Sequence, residues 1–285
     1  MASAHQTISV PFAPDISFEA TRYEGGDKTP VICLHGLTRN ARDFEDLAPE
    51  LAATGRDVMV LSFRGRGGSD YDPDYLNYHP LTYRDDVLNA LDAFNIDKAL
   101  FIGTSLGGIV TMLVNEAAPQ RVAAAIINDV GPELAPEGIA RIAGYVGGDS
   151  GPATSLDEAA ERIRAINGVA FPDEGDAFWR AFAKRTFREN PDGSWSLDYD
   201  PNISKALAEV GPAPDLWKPF ASLKDTPTLI IRGGISDLLS PEIIDNMRAV
   251  HPAFAYTEVP NVGHAPMLTE PAAWDAISAF LAPFD

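Results

Sequence analysis

Short, fully apolar runs alternate with amphipathic segments through the first half of the chain, and this alternation limits the fold more than any other feature. The strand-like runs lie at 7–10, 16–23, 31–34, 58–63, 99–103 and 124–128. Between the later runs lie helical patterns at 43–53, closed by Gly55, at 82–94, and at 106–118, stopped by Pro119. Thr82 and Asp85 have capping-box spacing, which places the start of the middle helix at Thr82. Strands that are apolar on both faces and separated by helices belong to a mostly parallel sheet covered on both sides. The first two runs, joined by a short Pro-containing link, read as an antiparallel hairpin at one edge.

The alternation stops at about Glu133 and resumes only after Pro219. Within 133–219 the signals are helical, at 138–146, 156–167 (behind Ser155 as N-cap) and 173–190, and no buried strand is expected. Phe171, Phe178, Trp179, Phe182, Phe187, Trp195, Tyr199 and Trp217 concentrate large rings there. Most should pack the insertion's own core, and the rest should line whatever it covers. A strand at 228–232, a helix at 241–250, a strand at 255–259 and a helix at 272–281 complete the core. The expected organisation is therefore an α/β core from 1–132 and 220–285 with a helical insertion at 133–219.

The segment 99–110 reads Ala-Leu-Phe-Ile-Gly-Thr-Ser-Leu-Gly-Gly-Ile-Val. A serine between a buried strand and a helix, with glycine two residues before and two after, has the nucleophile-elbow spacing G-x-S-x-G. The tight turn strains the serine backbone, and side chains at the flanking positions would strike the neighbouring strand and helix. It would lift Ser105 Oγ above the sheet and leave the Leu106 N–H at a helix N-terminus, where a developing oxyanion is stabilised.

A serine hydroxyl needs an adjacent base, and the base needs an orienting acid. Of the five histidines, His264 follows the last strand and would overhang the same carboxyl edge as Ser105, where catalytic groups of open α/β sheets gather. His35 follows a core strand directly, His79 precedes Pro80 in a polar loop, His251 ends a helix, and His5 is near the terminus. Two acids lie between Ser105 and His264 at strand ends. Asp237, beyond the strand at 228–232, is the favoured partner. Asp129, which follows the run 124–128, is the alternative, its other reading being a structural residue at the root of the insertion.

These residues together resemble the α/β-hydrolase family, with its chain order nucleophile, acid, histidine. The matching pieces are His35-Gly36, Arg64-Gly65-Arg66-Gly67-Gly68-Ser69, the elbow around Ser105, the strand Pro227-Thr228-Leu229-Ile230-Ile231-Arg232-Gly233 leading to Asp237, and Gly263-His264. The doubled glycine of the elbow and the last strand look most like bacterial esterases with a helical cap. The resemblance implies a sheet of about eight strands, a cap at 133–219, and an oxyanion hole formed by the backbone N–H groups of Leu106 and Leu37. It implies that His35 braces its loop rather than acting as a base. The expected activity is cleavage of small to medium apolar carboxylic esters or lactones through an acyl-enzyme. The alternatives are a C–C bond hydrolase, enol-lactonase, thioesterase or perhydrolase using the same three groups, and a ligand sensor that retains them.

Composition narrows the partners. A formal net charge of −19 repels phosphate backbones and anionic headgroups, so neither nucleic acid nor a membrane surface is expected, and the partner is a small-molecule substrate. No Walker A sequence is present, and Asp70 occupies the third glycine position of a dinucleotide-binding spacing, so no nucleotide cofactor is expected. No His/Cys/Asp/Glu cluster has metal-ligand spacing, and a metal-free mechanism is favoured. The single cysteine, Cys33, lies in a core run and reads as an inert thiol. Without a leader-like or spanning apolar stretch, a cytoplasmic location is expected. Oligomeric state is left open.

Overall fold

Two strand runs expected as separate elements form one extended segment in the computed structural model, which describes residues 5–13, 16–147, 151–209 and 215–284. After β1 (His5–Ala13), β2 runs from Ile16 to Leu34. Its register against β3 (Arg56–Leu61) reverses midway. Ala20 lies opposite Leu61 and Tyr23 opposite Val58, whereas Val31 lies opposite Val58 and Leu34 opposite Leu61. The two halves of β2 therefore flank β3, one antiparallel and one parallel. The seven assigned strands of the main sheet thus amount to eight ribbons side by side. The reversal passes through Gly25 and Gly26, where a Cβ on Gly25 would stand 2.1 Å from the Arg56 carbonyl oxygen.

Helix α1 (Leu47–Ala53) precedes β3, and α2 (Pro80–Ala93) follows it. The cap of α2 is His79 rather than Thr82. Its Nδ1 accepts the Leu81 N–H at 3.1 Å, and Pro80 occupies the first turn, where its missing N–H is no loss. Then come β4 (Ala99–Thr104), α3 (Leu106–Ala117) and β5 (Val122–Asn128). The insertion contributes α4 (Pro136–Tyr145), α5 (Leu156–Asn167), α6 (Asp176–Thr186), a short hairpin of β6 (Phe187–Glu189) with β7 (Trp195–Leu197), and α7 (Ile203–Glu209). That hairpin was not expected, because three-residue strands carry too little alternation to register. Last come α8 (Trp217–Ala221), β8 (Thr228–Gly233), α9 (Pro241–Val250), β9 (Ala255–Val259) and α10 (Pro271–Leu281). Beyond the antiparallel β1, the pairs β2–β4, β4–β5, β5–β8 and β8–β9 are all parallel.

Alternate residues of each central strand enter different cores, as the pleat requires. Ile32, Leu34, Phe101, Ile127 and Ile230 pack with Val87 and Leu91 of α2, Val110 and Val114 of α3, and Ile243 and Met247 of α9. Val31, Cys33, Leu100, Ile102, Ile126 and Ile231 face the other way, against Leu47 and Leu51 of α1 and Ile277 and Leu281 of α10. A third cluster belongs to the insertion, with Ile163, Phe171, Trp179, Phe182 and Phe187. Tyr199, Ile203 and Phe220 instead join the first core. Among the described residues no helix is long and apolar enough to cross a membrane.

Candidate active site

Ser105 stands between β4 and α3 with φ 52° and ψ −116°, a conformation that strains a residue bearing a side chain. The turn closes because its flanks are bare. A Cβ on Gly103 would lie 2.3 Å from the Gly107 carbonyl oxygen, and one on Gly107 would lie 2.0 Å from that of Leu34. The Ser105 N–H donates to the Asn128 carbonyl at 3.0 Å, which ties the elbow to the end of β5. Leu106 opens α3, where an N–H has no partner within the helix.

His264 Nε2 lies 2.9 Å from Ser105 Oγ, and His264 Nδ1 lies 2.8 Å from Asp129 Oδ2. The histidine loop is held from three sides. Asn128 Nδ2 donates to the Pro266 carbonyl, the Ile235 N–H donates to Val262, and the Gly263 N–H donates to Ala170 of the insertion.

The favoured acid, Asp237, is not the residue that meets His264. Both its carboxylate oxygens are taken by Arg141 of α4, with Nε at 2.6 Å and Nη2 at 2.9 Å. That guanidinium holds the Asp237 carboxyl below its usual range. Asp129 occupies the position expected of Asp237. It is fully buried at φ 57°, directly beyond β5, and accepts three hydrogen bonds. Gly233 N–H donates to Oδ1 at 2.8 Å, while Ser236 Oγ–H at 2.7 Å and the imidazole share Oδ2. Ser236 Oγ in turn accepts the N–H groups of Leu238 and Leu239, so its own proton is directed at Asp129. With no acceptor facing it among the described residues, Asp129 is the acceptor toward His264, which sets Nδ1 as the protonated nitrogen and frees Nε2 to accept from Ser105.

The loop after β2 completes the constellation. His35 is fully buried, its Nδ1 donating to the Gly36 carbonyl at 2.7 Å and its Nε2 accepting the Phe63 N–H at 2.9 Å. Burial pushes its pKa down to about 3, which fits a bracing residue in a fixed neutral tautomer. Gly36 packs against the elbow, since a Cβ there would be 3.7 Å from Ser105 Cβ. The Leu37 carbonyl accepts from Nε of the buried Arg66 at 3.0 Å, which fixes the peptide that follows it. Arg64 anchors the same region through Asp72 and Asp86.

A cavity of about 100 Å³ opens onto Ser105 and His264. Leu37 and Thr38 line it from the core, Ile142 and Tyr145 from α4, and Ile163, Phe171 and Phe182 from α5 to α6. Phe171 and Phe182 therefore serve the insertion's core and the cavity wall at once. Arg39 and Asp43 also line it, a charged pair that reading the sequence did not single out.

The fold and this strand-end constellation are those of the alpha/beta hydrolase family, which residues 31–277 match. The chain belongs to that family and is a hydrolase. It is similar to the 3-hydroxybutyrate-oligomer hydrolase of Cupriavidus necator, with 33% identity over 251 residues, 85% of this chain and 84% of that protein. It is also similar to the esterase YbfF of Escherichia coli, at 26% identity over 84% of this chain and 87% of that one. Among solved structures, an alpha/beta hydrolase from Novosphingobium aromaticivorans superposes with a TM-score of 0.92 at 39% identity, covering 99% of each chain.

Proposed function

We propose that this hydrolase cleaves carboxylic esters through an acyl-enzyme on Ser105. The observation that carries the reading is the continuous chain from Asp129 Oδ2 through the His264 imidazole to Ser105 Oγ, at 2.8 and 2.9 Å. His264 Nε2 takes the hydroxyl proton as Oγ attacks the ester carbonyl. Asp129 holds the imidazole orientation and stabilises the imidazolium that forms. The N–H groups of Leu106 and Leu37 bind the tetrahedral oxyanion, each donor contributing roughly 3 kcal/mol in the transition state. His264 then protonates the leaving alkoxide. Water, deprotonated by the same nitrogen, attacks the acyl-enzyme and releases the acid. Ile142, Tyr145, Ile163, Phe171 and Phe182, which line the cavity from α4 to α6, would select the acyl and alcohol groups.

The relatives support ester chemistry, and the C. necator protein makes hydroxyacid oligoesters the first substrates to try. A fluorophosphonate should label Ser105 covalently, and Ser105→Ala should lower kcat by about 10³-fold or more on any ester turned over. Labelling of another residue, or hydrolysis by Ser105→Ala at the wild-type rate, would overturn the assignment. Slow single-turnover acylation without release would favour the sensor reading instead.

A further inference from the structure

Arg39 brings a permanent positive charge into a cavity whose proposed chemistry does not use it. Its guanidinium lies over the Phe182 ring, with Cζ 3.8 Å from the ring centre. Nε and Nη2 both donate to one oxygen, Asp43 Oδ1, Nε at 2.8 Å. Nη1 donates to no group among the described residues. Burial pushes the Asp43 carboxyl above the usual carboxylate range, against the opposing pull of Arg39. A carbon placed on Gly36 would be 3.7 Å from both Arg39 Cγ and Ser105 Cβ, so the two side chains flank one glycine on the cavity wall.

A guanidinium with an open edge matches a carboxylate, and its planar donors favour that group over other anions of similar size. A chain of net charge −19 disfavours anionic substrates, and a cation fixed inside the site offsets that repulsion. We infer that Arg39 receives a free carboxylate of the substrate, and that the site takes esters retaining one acid end, such as hydroxyacid oligomers. The inference rests on the ester-hydrolase reading. In the competing account, Arg39 only fastens α6 to the core by stacking on Phe182.

The test compares the linear 3-hydroxybutyrate dimer with the same dimer capped as its primary amide. The readout is the ratio of kcat/KM for acid over amide, measured in wild type, R39Q and R39K. Taken within one protein, this ratio cancels any loss of folded enzyme or loosening of α6. Wild type should favour the acid by about ten- to a hundredfold, the usual range for a contact to a charged group. R39Q should bring the ratio to one or below, chiefly through KM, and R39K should retain part of the preference. An equal ratio in wild type and R39Q, or a wild-type ratio of one or less, overturns the inference. Turnover of neither dimer would count against the ester-hydrolase reading instead. Calorimetric binding of the acid dimer to Ser105→Ala, with and without R39Q, then still reads the carboxylate contact, and equal affinities overturn it.

Discussion

Asp129→Asn separates the two acids, because the structure leaves the amide no comfortable orientation. All three neighbours of the Asp129 carboxylate are donors: Gly233 N–H, Ser236 Oγ–H and His264 Nδ1. Turned toward Ser236 and His264, the new NH₂ meets a hydroxyl whose acceptor capacity is filled by Leu238 and Leu239. The imidazole must then move its proton to Nε2, where it can no longer accept from Ser105. Turned the other way, the NH₂ opposes the Gly233 N–H and leaves that buried donor unpaired, costing about 1–3 kcal/mol of stability. The wrong tautomer in the analogous serine protease triad lowers kcat by about 10⁴-fold, or about 5 kcal/mol of transition-state stabilisation. A loss of that order is expected here in kcat/KM on a chromogenic ester. Asp237→Asn, which keeps one contact to Arg141, should lose less than about tenfold. If Asp129→Asn retains more than a tenth of wild-type activity, or if Asp237→Asn is the more damaged, the assignment of Asp129 is wrong.

Two further outcomes follow from the same contacts. Arg141→Ala in the Asp129→Asn background releases Asp237 beside the imidazole and should recover about tenfold or more over the single variant; equal activities would show that Asp237 cannot reach. His35 gives a pH dependence of stability. Its folded pKa of about 3 lies below the ordinary 6.5, so the native state binds fewer protons, and the contribution present above pH 6.5 is lost as pH falls toward 3. Between pH 7 and pH 5 this removes about 2 kcal/mol. Urea unfolding of wild type and His35→Gln at both values should show the variant's deficit shrinking by that amount, and a constant deficit would refute it.

The sheet was legible because its strands are apolar on both faces, and the elbow because its glycines answer steric demands that only glycine meets. Helices α5 and α9 announced their ends through Ser155 and Ser240, whose side chains accept the N–H groups of Glu158 and Ile243. The choice between Asp129 and Asp237 was not legible. Both follow strand ends on adjacent strands, and the deciding contact comes from Arg141, some hundred residues away in sequence and on a helix of the insertion. The positive φ of Asp129 has no local signature either, since Asp tolerates that region in ordinary turns. Arg39 and Phe182 belong to segments far apart, and only packing of the insertion onto the core brings them together.

The Arg141–Asp237 pair also ties the insertion to the acid end of the site. Two carboxylates stand beyond the ends of adjacent strands; Asp129 meets the imidazole, and Arg141 takes both oxygens of Asp237. Movement of α4 would therefore be felt at the imidazole, because the helix that lines the cavity through Ile142 and Tyr145 also carries Arg141. The partner of the histidine in this chain is thus set partly from α4 of the insertion, while nucleophile and base stand at the ends of core strands.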